Sequence, residues 1–491
     1  RPLTVNYGGS TGTYIFYGSN DGLFRAIKAS TGGESWSLLA PEHYGLIQRL
    51  YSNLPLVKFP NQPDSLTPAP TAKDYFFDGS TGQVVTYNEN DQVDKAYIYP
   101  TMRRGGRMVY ALNVTSPASP SLLWRRGCDA LGAGASCDSG FSDLGQTWST
   151  PKGASLSGYT SGEVVMFGGG YDTCLDADQA AYPCSSSAKG RGIYVLDAKT
   201  GALLAGPAQL QTDAPVVADL TLVDMDVDGK TDFAYAADAA GGLYRISFAT
   251  LGGQGGLTAL DKAAWSITKL ASVSGSTRRF LNAPVAFALK DRVFLGLGSG
   301  NRERPLESNY PYSASVQDRF YVLADFPSIS TAQVDLDGSD MLAVEVSPGE
   351  GVDCAARGKR GWSLSMPDRG EQVVNPGAFL GGKVFFNSYL PGGSSVGVCS
   401  RPLGLARGYE VDLLSPACSV VTTEIPGGGM PIAPTTATVN VVCPAGSTSC
   451  TPGEDTAVSI CIGCKGLDPD KILAAPPTTR SRSYWSGDVD R

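Results

Sequence analysis

One short pattern returns along the chain and limits what it can fold into. It is a glycine-bounded strand that reads small, aromatic, any, aliphatic, polar. Gly192-Ile193-Tyr194-Val195-Leu196-Asp197 is one copy, and Gly242-Leu243-Tyr244-Arg245-Ile246-Ser247-Phe248 is another. Phe320-Tyr321-Val322-Leu323 and Gly408-Tyr409-Glu410-Val411-Asp412 repeat it, and residues 108–115 carry a further version. Apolar, glycine-rich strands precede several copies, as at residues 164–170 and 293–298. Near the start, strand-like runs at 13–18, 23–28 and 34–38 are joined by Asn20-Asp21-Gly22 and Ser30-Thr31-Gly32-Gly33, which are turn sequences. A small antiparallel sheet cannot bury both of its faces alone. Repeated along one chain, such sheets cover one another. The expected fold is therefore all-β: a β-propeller of about six to seven blades with irregular, disulfide-bearing loop insertions. A pair of β-sandwiches is the competing architecture. The recurring turn-plus-aromatic unit favours the propeller, and residues 1–491 are read as a single propeller domain.

One segment reads as helix. In residues 41–51 the apolar positions 46, 47, 50 and 51 share a face at helical spacing. This short helical insertion follows Trp36 and is expected to pack on the propeller rim. The Pro/Thr-rich stretches 60–73 and 474–480 read as linkers or loops.

Composition narrows the function classes. The chain carries 39 basic and 47 acidic side chains, a formal net charge of −8, and no dense Lys/Arg run. That balance disfavours a nucleic-acid partner. No apolar run approaches the roughly 20 residues of a membrane-spanning helix. The single histidine, His43, argues against a His-based triad or a multi-His zinc site.

Eleven cysteines are present. Cys128 with Cys137, and Cys174 with Cys184, form close pairs in Gly/Ser/Asp-rich stretches, as disulfide-stapled loops do. Five more crowd a Cys-rich insertion near 415–466. The alternative, zinc or redox chemistry, rests on Cys461-Ile-Gly-Cys464, a lone C-x-x-C without a second at ribbon spacing. An odd count leaves one thiol free or partnered elsewhere. The opening Arg1-Pro2-Leu3 lacks Met and a signal peptide, and the chain is read as part of a longer exported protein.

The sharpest local signal is Asp224-Met225-Asp226-Val227-Asp228-Gly229-Lys230-Thr231-Asp232. Its carboxylates fall at relative positions 1, 3, 5 and 9, with glycine at 6. Ca2+ takes about six to eight oxygen ligands, and alternate acidic side chains in a tight loop can supply them. Asp224, Asp226 and Asp228 are the expected side-chain ligands, Lys230 would contribute its backbone carbonyl, and Asp232 would close the shell. Position 12 is Tyr235 rather than Glu, so this is a shortened calcium loop between strands and not an EF-hand. Mg2+ suits it less, because that ion keeps its waters and needs a tighter octahedron. The bland alternative is an acidic solvated turn. A second stretch, Asp335-Leu336-Asp337-Gly338-Ser339-Asp340, offers fewer ligands, and Asp172, Asp176 and Asp178 read as exposed loop groups.

Several motifs, taken in order, resemble those of a known family. Residues 18–26 with Thr31-Gly32 and Trp36 form the first, and Arg104-Gly105-Gly106-Arg107 leading into 108–115 the second. Asp143-Leu144-Gly145-Gln146-Thr147-Trp148-Ser149-Thr150-Pro151 follows, then the acidic loop with Tyr235-Ala236-Ala237-Asp238, residues 298–306, and Arg482-Ser483-Tyr484-Trp485. Together they resemble the C-terminal β-propeller domain of the PilC/PilY family of type IV pilus-associated tip adhesins. The Cys418–Cys464 segment departs from that pattern. The resemblance implies a non-enzymatic domain that supports pilus assembly, opposes retraction and mediates attachment to host-cell or abiotic surfaces, with calcium in the propeller loop controlling these activities. It implies minor pilins of the pilus tip complex as partners, and a location in the periplasm, outer membrane and cell surface at the pilus tip.

The competing enzyme reading is a quinoprotein-type (PQQ) propeller dehydrogenase, since residues 26–36 resemble a tryptophan docking motif. Such enzymes carry adjacent paired cysteines, which are missing here, and a docking tryptophan in every blade, whereas Trp totals 6. A carbohydrate-binding or glycosidase propeller is the third reading; hydrolysis would need two facing carboxylates.

Overall fold

The structure is a computed structural model that describes residues 1–58, 65–132, 134–176, 188–253, 255–274, 278–301, 303, 316–329, 332–346, 358–392, 403–442, 455–464 and 470–474. Among these residues, five sheets carry six blades. Blade 1 is Leu3–Asn6, Thr13–Gly18, Leu23–Lys28 and Gly33–Leu39. Blade 2 is Thr81–Tyr87, Val93–Pro100, Arg107–Asn113 and Ser121–Cys128. Blade 3 is Lys152–Leu156, Tyr159–Gly168, Ile193–Asp197 and Leu203–Ala205, and blade 4 is Thr221–Val223, Phe233–Ala237, Gly242–Ser247 and Ser266–Ser272. Blade 5 is Val285–Ala288, Val293–Gly298, Arg319–Asp325 and Gly361–Ser365. In blade 6, Gln372–Val373 and Ala378–Leu380 both pair with Lys383–Leu390, and Leu405–Asp412 and Val421–Glu424 follow. A three-stranded sheet, Thr435–Val442, Asp455–Ile462 and Asp470–Ala474, lies beyond it.

The first strands of neighbouring blades approach one another. Gln83 pairs in parallel with Lys152, merging blades 2 and 3 into one eight-stranded sheet. Beside that contact a Cβ on Gly82 would stand 1.9 Å from the carbonyl oxygen of Pro151, so only glycine fits there. The hydrophobic clusters lie between blades, each drawing on two neighbours. The aromatic of the repeated unit fills these seams. Tyr194 stacks on Phe167 at 5.5 Å and on Phe141 at 5.1 Å, while Phe386 lies between Phe320 at 3.9 Å and Tyr409 at 4.7 Å. Such pairs add to area burial, which explains why the unit recurs.

The strands expected from the repeat are present, and blade 1 gains a fourth, Leu3–Asn6. Residues 41–43 form a 3₁₀ turn that leads into α1 (Tyr44–Ser52). No α1 side chain is fully buried, and Leu50 and Tyr51 face solvent at 47% and 89% exposure. The expected apolar face is therefore only partly used against the rim. Cys128–Cys137 and Cys461–Cys464 are disulfides, so the C-x-x-C is a covalent staple. Cys174 is also disulfide-bonded; Cys184 lies outside the described residues. Within the Cys-rich segment, Val421–Glu424 completes blade 6. Residues 482–485 and most of 302–306 lie outside the described residues.

Candidate metal loop

The acidic loop connects the first and second strands of blade 4. Thr221–Val223 and Phe233–Ala237 pair from Thr221↔Tyr235 to Val223↔Phe233, which brings the loop's ends together. Asp224 then organises the turn. Its Oδ1 accepts the N–H groups of Val227 at 2.7 Å and Asp228 at 3.2 Å, and its Oδ2 accepts Gly229 N–H at 2.8 Å. Gly229 has φ 86° and Val227 φ 66°. Glycine adopts that region freely, whereas a β-branched residue is strained there.

Asp232 anchors the other end. It is 3% exposed, and its Oδ2 accepts Met225 N–H at 2.9 Å. Its own N–H donates to Val223 O at 2.9 Å, and its carbonyl accepts Phe248 N–H at 2.9 Å. Thr231 N–H donates to Ser155 O of blade 3 at 2.8 Å. The loop is thus tied to two blades, and these tertiary partners left no signal in the local sequence.

Carboxylate oxygens of Asp224, Asp226 and Asp232 all lie within 4.8 Å of one another. Asp228 stands apart: its Oδ1 accepts Lys230 N–H at 2.8 Å and its Oδ2 lies 3.4 Å from Lys230 Nζ. The structure therefore brings together three of the four expected acidic side chains, with Asp228 and Lys230 paired beside them. Burial raises the Asp232 pKa to about 6, opposed by the Met225 hydrogen bond and reinforced by Asp226, Asp224 and Asp228. Burial likewise raises Asp224. Three oxygen donors, two of them held by backbone N–H groups, fit a hard dication, which would relieve their mutual repulsion.

The other acidic stretches are structural. Asp337 is clamped by Arg278 at 2.7 Å and Arg319 at 2.8 Å, which satisfies its charge with guanidinium. Asp172 and Asp176 depart from the expectation of exposed loop groups. Asp172 is buried and accepts Cys174 and Lys189 N–H at 3.0 and 2.7 Å, and Asp176 pairs with Arg104. Asp178 lies outside the described residues.

Residues 69–275, which include the loop, match the family described as the PilY1 beta-propeller domain. That segment is similar to a PilY1 β-propeller. The crystal structure of the Pseudomonas aeruginosa PilY1 C-terminal domain superposes with a TM-score of 0.59 at 15% identity, covering 92% of this chain and 91% of that one. The type IV pilus biogenesis factor PilY1 of P. aeruginosa (strain UCBPP-PA14) is 28% identical over 238 residues, 47% of this chain. A PilY1 homolog of Xylella fastidiosa is 22% identical over 446 residues, 85% of this chain. The chain spans 17% and 27% of those two relatives' lengths. Both are named as biogenesis factors rather than enzymes.

Proposed function

We propose that this PilY1-type propeller is a calcium-binding, non-enzymatic domain of a type IV pilus biogenesis factor. In this reading it supports pilus assembly, opposes retraction and mediates attachment to a host-cell or abiotic surface, with minor pilins of the tip complex as partners. It acts outside the cytoplasm, from the periplasm and outer membrane to the pilus tip. Among the described residues no helix is long and apolar enough to cross a membrane. The observation that carries the calcium reading is the convergence of Asp224, Asp226 and Asp232 within 4.8 Å, inside the segment that matches the PilY1 family.

Asp224 and Asp232 would hold the ion from the fixed ends of the loop, and Asp226 from its exposed side. Asp228, on leaving its partner Lys230, and the Lys230 carbonyl would complete the proposed ligand set. When bound, calcium supplies charge neutralisation and a rigid link between two strands. Ion binding to the native loop alone stabilises it by mass action. Calorimetry of the Asp232→Ala variant is expected to show loss of calcium binding with the β-sheet spectrum retained. In cells carrying the same change, piliation and twitching are expected to shift together. Unchanged calcium binding in that variant would remove the ligand assignment, and unchanged piliation would remove the control.

A further inference from the structure

Two blades have their outer edges covered by strand addition from within the chain. Between the third and fourth strands of blade 5, the chain leaves the blade and returns as a border segment, residues 334–344. Val334 and Asp335 pair in parallel with Ala271 and Ser272, at the end of the outer strand of blade 4, and Leu336 N–H donates to Ser272 O at 2.9 Å. Met341–Val344 then pairs in parallel along the outer strand of blade 5, from Gly361 to Leu364. Val334, Leu336 and Met341 are buried in the core between these blades. Two short strands joined by a turn at 336–340 thus add to two ladders and set Val334, Leu336 and Met341 into the seam.

Among the described residues, the seam between blades 1 and 2 has no such added strand; there Glu42, in the turn after Leu39, accepts hydrogen bonds from Tyr110 and Arg125. A groove of about 410 Å³ runs between their outer strands, lined by Trp36, Leu38 and Leu39 of blade 1 and Leu112, Leu122 and Arg125 of blade 2. Leu38 and Leu39 end the outer strand of blade 1, as Ala271 and Ser272 end that of blade 4. Leu122 is 57% exposed, and Tyr44 at the groove's edge is 61% exposed. Among the described residues, no strand pairs with the outer side of Gly33–Leu39 or of residues 121–126. Unpaired N–H and C=O groups beside apolar walls are a template for a further strand.

We propose that this groove receives an extended, apolar segment of a partner polypeptide, added in parallel to Leu38 and Leu39, with alternate aliphatic side chains set between Trp36, Leu38 and Leu122. The border strands show that the outer edges of two neighbouring blades of like topology accept short parallel strands with apolar side chains turned into the seam. A lipid chain would use the walls and leave the edges unpaired, and a helix has no free backbone groups to offer them. The proposal rests on the propeller and not on calcium.

Two fluorescein-labelled eleven-residue peptides test it against the whole chain: one with the sequence of residues 334–344, the other alternating Thr and Val. At least one is expected to bind saturably by anisotropy and to slow amide exchange at Leu39, whose N–H faces outward while that of Leu38 pairs with Phe24. Leu122→Arg, at an exposed position that leaves the fold intact by circular dichroism, is expected to weaken binding by about tenfold or more, because it places a charge against the apolar wall. Proline in the middle of the bound peptide is expected to abolish binding. The proposal is overturned if neither peptide saturates at millimolar concentration, if Leu122→Arg or the proline peptide binds like its parent, or if exchange slows only at blades 4 and 5. It is also overturned if the chain self-associates through this groove and Leu122→Arg abolishes that association, which would assign the edge to a second copy.

Discussion

Asp318 sits at the start of the third strand of blade 5, 3% exposed. Its Oδ1 accepts the Ser299 hydroxyl at 2.6 Å, while Ser299 Oγ accepts Arg319 N–H at 2.9 Å. Burial raises its pKa from 3.8 to about 6, against the lowering effects of Ser299 and Arg278. A carboxyl whose folded pKa lies above its unfolded one binds its proton more tightly in the native state. The stability it contributes is complete below 3.8 and is lost as pH rises through about 6. Asp318→Asn keeps the acceptor and cannot ionise. It is expected to raise stability at neutral pH by about 2–3 kcal/mol and to flatten the slope across that window. Urea unfolding of both proteins at several pH values between 4 and 7 measures this (~1 pH unit apart suffices); parallel profiles would contradict it. Nothing around residue 318 in the sequence announces this environment, because Ser299 lies 19 residues back, at the far end of the same strand connection. Asp224 was legible, since its partners are its own next few residues.

At the scale of one element, the 224–232 loop separates two jobs that the sequence pattern merges. Asp224 accepts three backbone N–H groups and shapes the turn whether or not an ion is present. Among the described residues none donates a hydrogen bond to Asp226, whose carboxylate is exposed. Asp224→Ala is expected to lose calcium binding and also to destabilise the calcium-free protein, by about 0.5–1.5 kcal/mol for the lost turn hydrogen bonds to solvent-exposed N–H groups. Asp226→Ala is expected to lose calcium binding and leave calcium-free stability within about 0.5 kcal/mol. Thermal unfolding with chelator, beside calorimetry with calcium, distinguishes them; equal losses of calcium-free stability would refute the division. Val227 adds a third expectation. It is 47% exposed at φ 66°, so Val227→Asn, which tolerates that backbone, is expected to stabilise the chelated protein by about 1 kcal/mol. Spacing alone identified the loop, its glycine and its acidic set. It could not separate Asp228 from the others, because the turn that sends Asp228 towards Lys230 depends on which backbone N–H groups Asp224 captures. The blade repeat was legible for the same reason as the loop: it is local and periodic. The border segment 334–344 escaped notice because its partners lie some 60 residues back, at Ala271 and Ser272, and its two pairings are short.

For the whole molecule, topology divides the charged networks between two faces. Successive connections in an antiparallel blade alternate between its ends, and the first strands of blades 2 and 3 run in the same direction. The metal loop joins a first strand to a second. Arg103, Arg104, Asp176 and Glu303 all lie between second and third strands, in blades 2, 3 and 5, and so share the opposite face. There Arg104 Nε donates to Glu303 at 2.8 Å, its terminal nitrogens meet Asp176 at 3.0 and 3.2 Å, and Arg103 reaches Glu303 at 3.3 Å. Arg103 also lies 4.1 Å over the Trp148 ring, which stacks on Tyr171 at 4.4 Å. Blades far apart in sequence are thus joined by one partly buried cluster of two arginines, two carboxylates and a tryptophan, and single exposed ion pairs elsewhere contribute little by comparison. Arg104→Ala leaves two acidic groups facing one another and is expected to cost about 2–4 kcal/mol. Because the loop's own ties run to Ser155, Val223 and Phe248 and none to this cluster, calcium removal and Arg104→Ala should act independently. The double perturbation is expected to lower stability by the sum of the two separate losses, within about 0.5 kcal/mol. A deficit or excess well beyond that, read from urea unfolding with and without chelator, would mean that the ring transmits the loop's state to its opposite face.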